Sequence, residues 1–127
     1  MQRKDIVPKG MEVIRERFHY SPGVVVGDTL YMAGQVGRDE DLNVLDGAAA
    51  QYDQAFKNVQ RILSAAGADF DNVVDMVTYH TDITDLPAFM TVKDRYFTNN
   101  VPAWTGIGVQ ALAMPGLLIE IKCIAKL

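Results

Sequence analysis

The last quarter of the chain restricts the possible folds more than any other stretch. From Ile119 to Lys126 the sequence alternates, with Ile119, Ile121, Cys123 and Ala125 on one parity and Glu120, Lys122, Ile124 and Lys126 on the other. Side chains along a strand point to opposite faces in turn, so this segment reads as a strand with one face on a core and Glu120 on the other. A solvated strand residue is the simplest account of Glu120. The segment before it adds a second possibility. Within Val101 to Val109, Trp104, Gly106 and Gly108 share one parity, so an indole stands beside two positions without side chains. Such a gap in a sheet surface admits a ligand or another backbone at close range.

The rest of the chain supplies layers for that sheet. Two β-rich runs between Gly23 and Val36 flank Gly27-Asp28, a hairpin turn signal. The acidic run from Gly37 to Asn43 reads as a solvated loop. From about Asp46 the period changes to steps of three and four, through Ala48, Tyr52, Ala55, Phe56, Val59, Ile62, Leu63 and Ala66. That spacing predicts a helix with one buried stripe, with Gln51, Asp53, Gln54, Lys57, Asn58, Gln60 and Arg61 on its wet side. Gly67 is placed to end it in a left-handed conformation. Val73 to Asp82 reads as a strand. Thr84 or Asp85 can cap a second helix with Pro87 in its first turn and Phe89, Val92 and Tyr96 buried, broken at Asn99-Asn100-Val101-Pro102.

The predicted order is therefore β-β-α-β-α-β-β, an α+β single domain over residues 1–127 with both helices on one face of a mixed sheet. The other face lacks a cover within the chain and carries apolar positions such as Ile124, which points to self-association. Net charge is −4 and pI near 5.0, so no electrostatic footprint for nucleic acid exists. No apolar run approaches a membrane span, and the polar start Met1-Gln2-Arg3-Lys4-Asp5 leads into no signal-peptide core. One cysteine at a core-facing position fits a reducing, cytoplasmic compartment. Phosphate-binding glycine motifs are missing. His19 and His80 lack the spacing of a zinc pair, and no nucleophilic triad is visible, so neither metal nor cofactor is expected.

Several segments together resemble the RidA/YjgF family. They are His19-Tyr20-Ser21, Leu30-Tyr31-Met32-Ala33-Gly34-Gln35-Val36, the Ala50 to Gly67 helix, Val101-Pro102-Ala103-x-Thr105, and Ile119-Glu120-Ile121-Lys122-Cys123-Ile124-Ala125. The match runs from Tyr20 to the end in the right order and lengths. It implies a chorismate mutase-like fold and a homotrimer whose open sheet faces meet at the centre, with a small-molecule cleft at each subunit interface. Catalytic members hydrolyse reactive 2-imino or enamine acids to 2-keto acids and ammonium. An arginine after the Pro-Ala pair grips the substrate carboxylate, a geometry that guanidinium matches with two parallel hydrogen bonds.

In this chain Glu120 stands at the family's strand glutamate, which activates water, and Tyr20 at its tyrosine. The arginine position holds Trp104, a serine position before Gly34 holds Ala33, and an asparagine position in the second helix holds Met90. The ligand-binding set implied is therefore Ala33, Gly34, Met90, Trp104 and Thr105, with Glu120 and Tyr20 as the catalytic pair. Indole donates one hydrogen bond and carries no charge, so the preferred ligand should differ from a small imino acid. One expectation is an imine or enamine hydrolase for an aromatic or uncharged substrate, with Glu120 as general base and Trp104 as a stacking wall. The alternative is a noncatalytic trimer that binds a small metabolite or a protein partner. A Glu120 with a raised pKa in a closed cleft favours the enzyme, whereas one paired with lysine or arginine favours the binder. Ribonuclease activity is not expected of an acidic chain.

Overall fold

A computed structural model describes residues 2–127 as one six-strand-wide sheet with its helices on one side. The strands are β1 (Arg3–Ile6), β2 (Gly23–Val26), β3 (Thr29–Met32), β4 (Gln35–Val36), β5 (Val73–His80), β6 (Ala103–Gly108) and β7 (Ile119–Lys126). The helices are α1 (Glu12–Phe18), α2 (Ala48–Ala65) and α3 (Leu86–Lys93). The sheet runs β1-β2-β3-β7-β5-β6, with β4 continuing the line of β3 along β7. Only β5 and β6 run parallel, joined by the α3 crossover; every other pair is antiparallel. The sheet is mixed, as the sequence predicts. The N-terminal strand and helix, β1 and α1, are additions to the predicted order.

β2 and β3 form the predicted hairpin, Val26 facing Thr29 across a two-residue turn with Gly27 at φ +61°. A positive φ at the first turn position follows the right-handed twist of the strands and suits a residue without Cβ. The predicted second strand of that hairpin does not run unbroken to Val36. From the pair Tyr31–Ile124 to the pair Gln35–Ile121, four residues advance on one side against three on β7. The extra residue is a β-bulge at Ala33-Gly34, and it lets Met32 and Gln35 both face the core although they are three apart.

α2 matches its predicted stripe: Tyr52, Ala55, Phe56, Val59, Ile62 and Leu63 are all buried. It ends as expected at Gly67, φ +76°, where the Ala68 amide donates to Leu63 O at 2.9 Å and the Gly67 amide to Ser64 O at 3.0 Å. Two assignments to its wet side are overturned, because Gln51 and Asn58 are buried. Gln51 Nε2 donates to Leu45 O and Gly116 O, while its Oε1 accepts from the Leu118 amide. Asn58 Nδ2 donates to Val36 O and Arg38 O. Buried amides that satisfy non-local backbone groups cost little, and each pins a loop to the helix. Together they hold the segments leading out of β4 and into β7, which carry the candidate site.

Phe56 centres an aromatic cluster with Phe70, Phe89, Tyr96 and Phe97 that joins α2 to α3. All three helices contribute to this single core, with Ile119, Ile121, Cys123 and Ala125 beneath them. The opposite sheet face carries Tyr31, Val77, Tyr79, Ile107, Glu120, Lys122 and Ile124, and no helix covers it. No helix among the described residues is long and apolar enough to cross a membrane.

Candidate active site

Glu120 projects from β7 on the open face, between Val36 of β4 and Tyr79 of β5. The bulge decides what lies over it. A Cβ on Gly34 would fall 2.5 Å from Glu120 Oε2 and 2.8 Å from its Cγ, so only glycine lets the carboxylate lie against that backbone. Glu120 has no hydrogen-bond or ion-pair partner among the described residues. Lys122, two positions on along the same face, donates to Met32 O at 3.3 Å. Half-burial raises the Glu120 carboxyl above its usual range, and the Lys122 charge offsets only part of that. A raised, unpaired carboxylate on an accessible face is suited to take a proton from water. The lysine or arginine pairing expected of a binder is not found at Glu120 among the described residues, and within one protomer no closed cleft surrounds it.

Trp104 lies elsewhere. It pairs in register with core-facing Met76, and Gly106 and Gly108 pair with Thr78 and His80, so the whole parity faces the helices. The expected groove beside the indole is filled: the place of a Gly106 Cβ lies 3.5 Å from Leu86 Cδ1, and that of a Gly108 Cβ 3.4 Å from Ile83 Cβ. The glycines make room for the start of α3. Within one protomer Trp104 therefore cannot wall the space over Glu120, because the sheet separates them. The indole Nε1 donates to Thr78 Oγ1 at 2.9 Å, and that hydroxyl sits 2.7 Å from His80 Nε2. Burial lowers the His80 pKa, and its Nδ1 has no partner, so the imidazole is a neutral anchor rather than an acid. With its N–H committed inward, the indole offers a ligand only carbon.

The remaining sequence-derived residues divide between these two places. Thr105 is exposed and pairs with Val77, on the same face as Glu120. Ala33 lies in the bulge, its amide donating to Pro22 O at 2.9 Å. Met90 is 42% exposed on α3, the side of Trp104. Tyr20 is exposed at the rim of a hollow of about 30 Å³ formed with Gln35, Arg38, Asn58 and Arg61. That volume holds about one water, and neither Glu120 nor Trp104 lines it. Thr78 and Lys93 escaped sequence reasoning. A strand threonine and a helix lysine carry no local signal of burial.

This is a helix-backed mixed sheet with an unpaired Glu120 on its open face and a pinned indole at its edge strand, and the fold is shared by a known group of small proteins. The family model described as Endoribonuclease L-PSP matches residues 12–127. The RutC family protein YjgH of Escherichia coli is 36% identical over 129 residues, covering 100% of this chain and 97% of that protein. The human 2-iminobutanoate/2-iminopropanoate deaminase is 40% identical over 108 residues, covering 84% of this chain and 78% of that protein. Among solved structures, protein YJGH superposes with a TM-score of 0.90 at 36% identity, over 100% of this chain and 98% of that one. RidA from the Antarctic bacterium Psychrobacter sp. PAMC 21119 gives 0.81 at 33%, over 85% and 88%. The chain belongs to the RidA/YjgF family.

Proposed function

We propose that this protein is a homotrimeric imine or enamine hydrolase of the deaminase type. Its cleft lies between subunits, with Glu120 as general base to the attacking water. The observation that carries this reading is Glu120 itself: unpaired, half-buried, pKa raised, and backed by a glycine that only a close approach requires. The separation of Glu120 from Trp104 supports an inter-subunit site. One protomer then contributes the carboxylate with Ala33, Gly34 and Thr105, and another contributes Trp104 and Met90. The apolar residues of the open face, Tyr79 beside Glu120 and Ile124 further along β7, supply a surface for that contact. Names of relatives support the chemistry, since one relative is a 2-iminobutanoate/2-iminopropanoate deaminase.

Trp104 makes the substrate an aromatic or otherwise uncharged one at that end, because indole carbon replaces a guanidinium fork. Water attack at the imine carbon gives a tetrahedral carbinolamine, Glu120 taking the proton. The imine reacts in its protonated form. Glu120 returns that proton to the amine nitrogen and then takes the hydroxyl proton as the C–N bond breaks, which leaves the ketone. Glu120 passes the proton on to the released ammonia, giving ammonium. Ribonuclease chemistry is disfavoured by the chain's net charge of −4. The test generates an aromatic imino acid from its amino acid with an oxidase and follows its loss with and without the protein. Wild type should accelerate that loss and Glu120→Gln should not. Equal rates would leave a noncatalytic binding trimer, and light scattering that returned a monomer at micromolar concentration would remove the shared cleft.

A further inference from the structure

The pairing of β3 with β7 stops at Tyr31 and resumes in β4 at Gln35, and two residues of β7 stand opposite the break, Lys122 and Cys123. Cys123 is buried on the core side. Lys122 is exposed on the open side, in register with Val77 of β5 and two positions from Glu120. Its ammonium donates to Met32 O at 3.3 Å. Met32 pairs with Gly23 of β2 and lies just past the last β3 residue paired with β7. The bulge interrupts the ladder there, and the lysine supplies a donor to the carbonyl at its edge. Two residues further on, the backbone of Gly34 lies against the Glu120 carboxylate so closely that a Cβ would fall 2.5 Å from Oε2. One side chain therefore ties β7 to the backbone on which its own glutamate rests. A solvated ammonium on a single carbonyl adds little to the stability of the protomer, so stability is a poor account of its presence.

Residues two apart along a strand lie roughly 7 Å from one another on the same face, within easy reach of a lysine side chain. Lys122 is nevertheless bonded to Met32 O and leaves the carboxylate unpaired. A direct ion pair would make Glu120 a weaker base and occupy its oxygens. With the ammonium held on the carbonyl, both oxygens stay open to water. We propose that Lys122 is the positioning residue for Glu120: through Met32 O it fixes the bulge, and the bulge sets the place of the carboxylate. This rests on the hydrolase reading of Glu120 and adds to it a residue that does not touch substrate. The lysine also acts through its charge. Burial raises the Glu120 carboxyl and Lys122 lowers it, so the ammonium keeps more of the base ionised at a given pH. The other ionisable groups on this face are Tyr79, opposite Glu120 on β5, with Tyr31 on β3 and Asp75 further along β5. β4 and β6 contain none, and Lys126 at the far end of β7 is paired with Asp28.

Two measurements on the intact protein need no substrate. Amide hydrogen exchange at Ala33 and Gly34 should quicken in Lys122→Met, which keeps the length of the side chain but removes the tether, and should recover in Lys122→Arg. Carbon NMR of the glutamate carboxyls against pH, with the Glu120 signal identified by its loss in Glu120→Gln, should show its midpoint at higher pH in Lys122→Met and restored in Lys122→Arg. In hydrolysis of an aromatic imino acid, kcat should fall roughly tenfold in Lys122→Met with little change in KM, short of the loss on the order of 100-fold that a full ångström of displacement can cause. The acid limb of the rate profile should move to higher pH with the carboxyl. Unchanged exchange at Gly34 overturns the proposal whatever the midpoint does, since the lysine would then act by charge alone. A kcat loss that Lys122→Arg does not restore overturns it too. If Lys122→Met does not fold, Lys122→Gln carries the same readouts. Absence of hydrolysis by wild type would sink the hydrolase reading, while exchange and titration would still decide whether Lys122 sets Glu120. Hydrolysis that is lost in Glu120→Gln and untouched in Lys122→Met would keep that reading and overturn this one.

Discussion

Truncating Phe56 to alanine probes the joint between the helices that position the candidate site. Phe56 is fully buried and stacks on Tyr96 at 5.0 Å and on Phe89 at 5.5 Å, with the edges of Phe97 and Phe70 at 6.1 and 6.3 Å. A buried phenylalanine cut to alanine typically costs about 3–5 kcal/mol, the larger values where the cavity cannot collapse. Here four rings from two separate segments surround the hole. None can fill it without leaving another contact, so the loss should be about 4–5 kcal/mol. Unfolding entropy is roughly 2.1 cal/mol/K per residue, which over the 127 residues gives about 0.27 kcal/mol/K. The midpoint should therefore fall by roughly 15 °C, read by calorimetry at one fixed protein concentration because assembly shifts the midpoint. Phe56→Leu, which keeps most of the volume, should lose less. A Phe56→Ala midpoint within about 4 °C of wild type would refute the packing argument.

Other expectations concern the site. Burial raises the Glu120 carboxyl above its ordinary 4.5, so the folded state holds that proton more tightly than the unfolded state. The resulting destabilisation is absent below the unfolded pKa and complete above the folded one. Glu120→Gln should therefore be the more stable protein at pH 7, and its advantage should vanish as pH falls toward 4.5; an advantage independent of pH would contradict this. Gly34→Ala should leave the melting midpoint nearly unchanged but turn the Glu120 side chain aside. A displacement of about 1 Å at a catalytic group can cost on the order of 100-fold in rate, so unchanged hydrolysis by Gly34→Ala would count against Glu120 as the base. Hydrolysis of 2-iminopropanoate should run at least roughly tenfold slower than in a family member with arginine at the Trp104 position. A guanidinium contact contributes about 1.5–3 kcal/mol, and an indole supplies no charge in its place. Matching rates in the two proteins would remove Trp104 as a determinant of specificity.

Local periodicity determined much of this protein from sequence. The alternation of residues 119–126 and the three-and-four spacing of α2 survive in the fold because a buried face imposes its repeat on consecutive residues. The two-residue turn at Gly27-Asp28 and the left-handed Gly67 were legible for the same reason, since backbone conformation there depends on the residue itself. β1 was not legible: four residues, of which only Ile6 is buried, carry too little pattern. Gln51 and Asn58 read as wet because their acceptors, such as Gly116 O and Val36 O, lie far along the chain. The site itself was half visible. Glu120 could be placed on an open face from parity alone, whereas the face of Trp104 depends on the parallel register of β6 against β5, which no local pattern fixes. That register put the indole over Lys93 and away from Glu120. Pairing between distant segments is decided by the packed whole, so only the tertiary structure could show that Glu120 and Trp104 stand on opposite faces of one sheet.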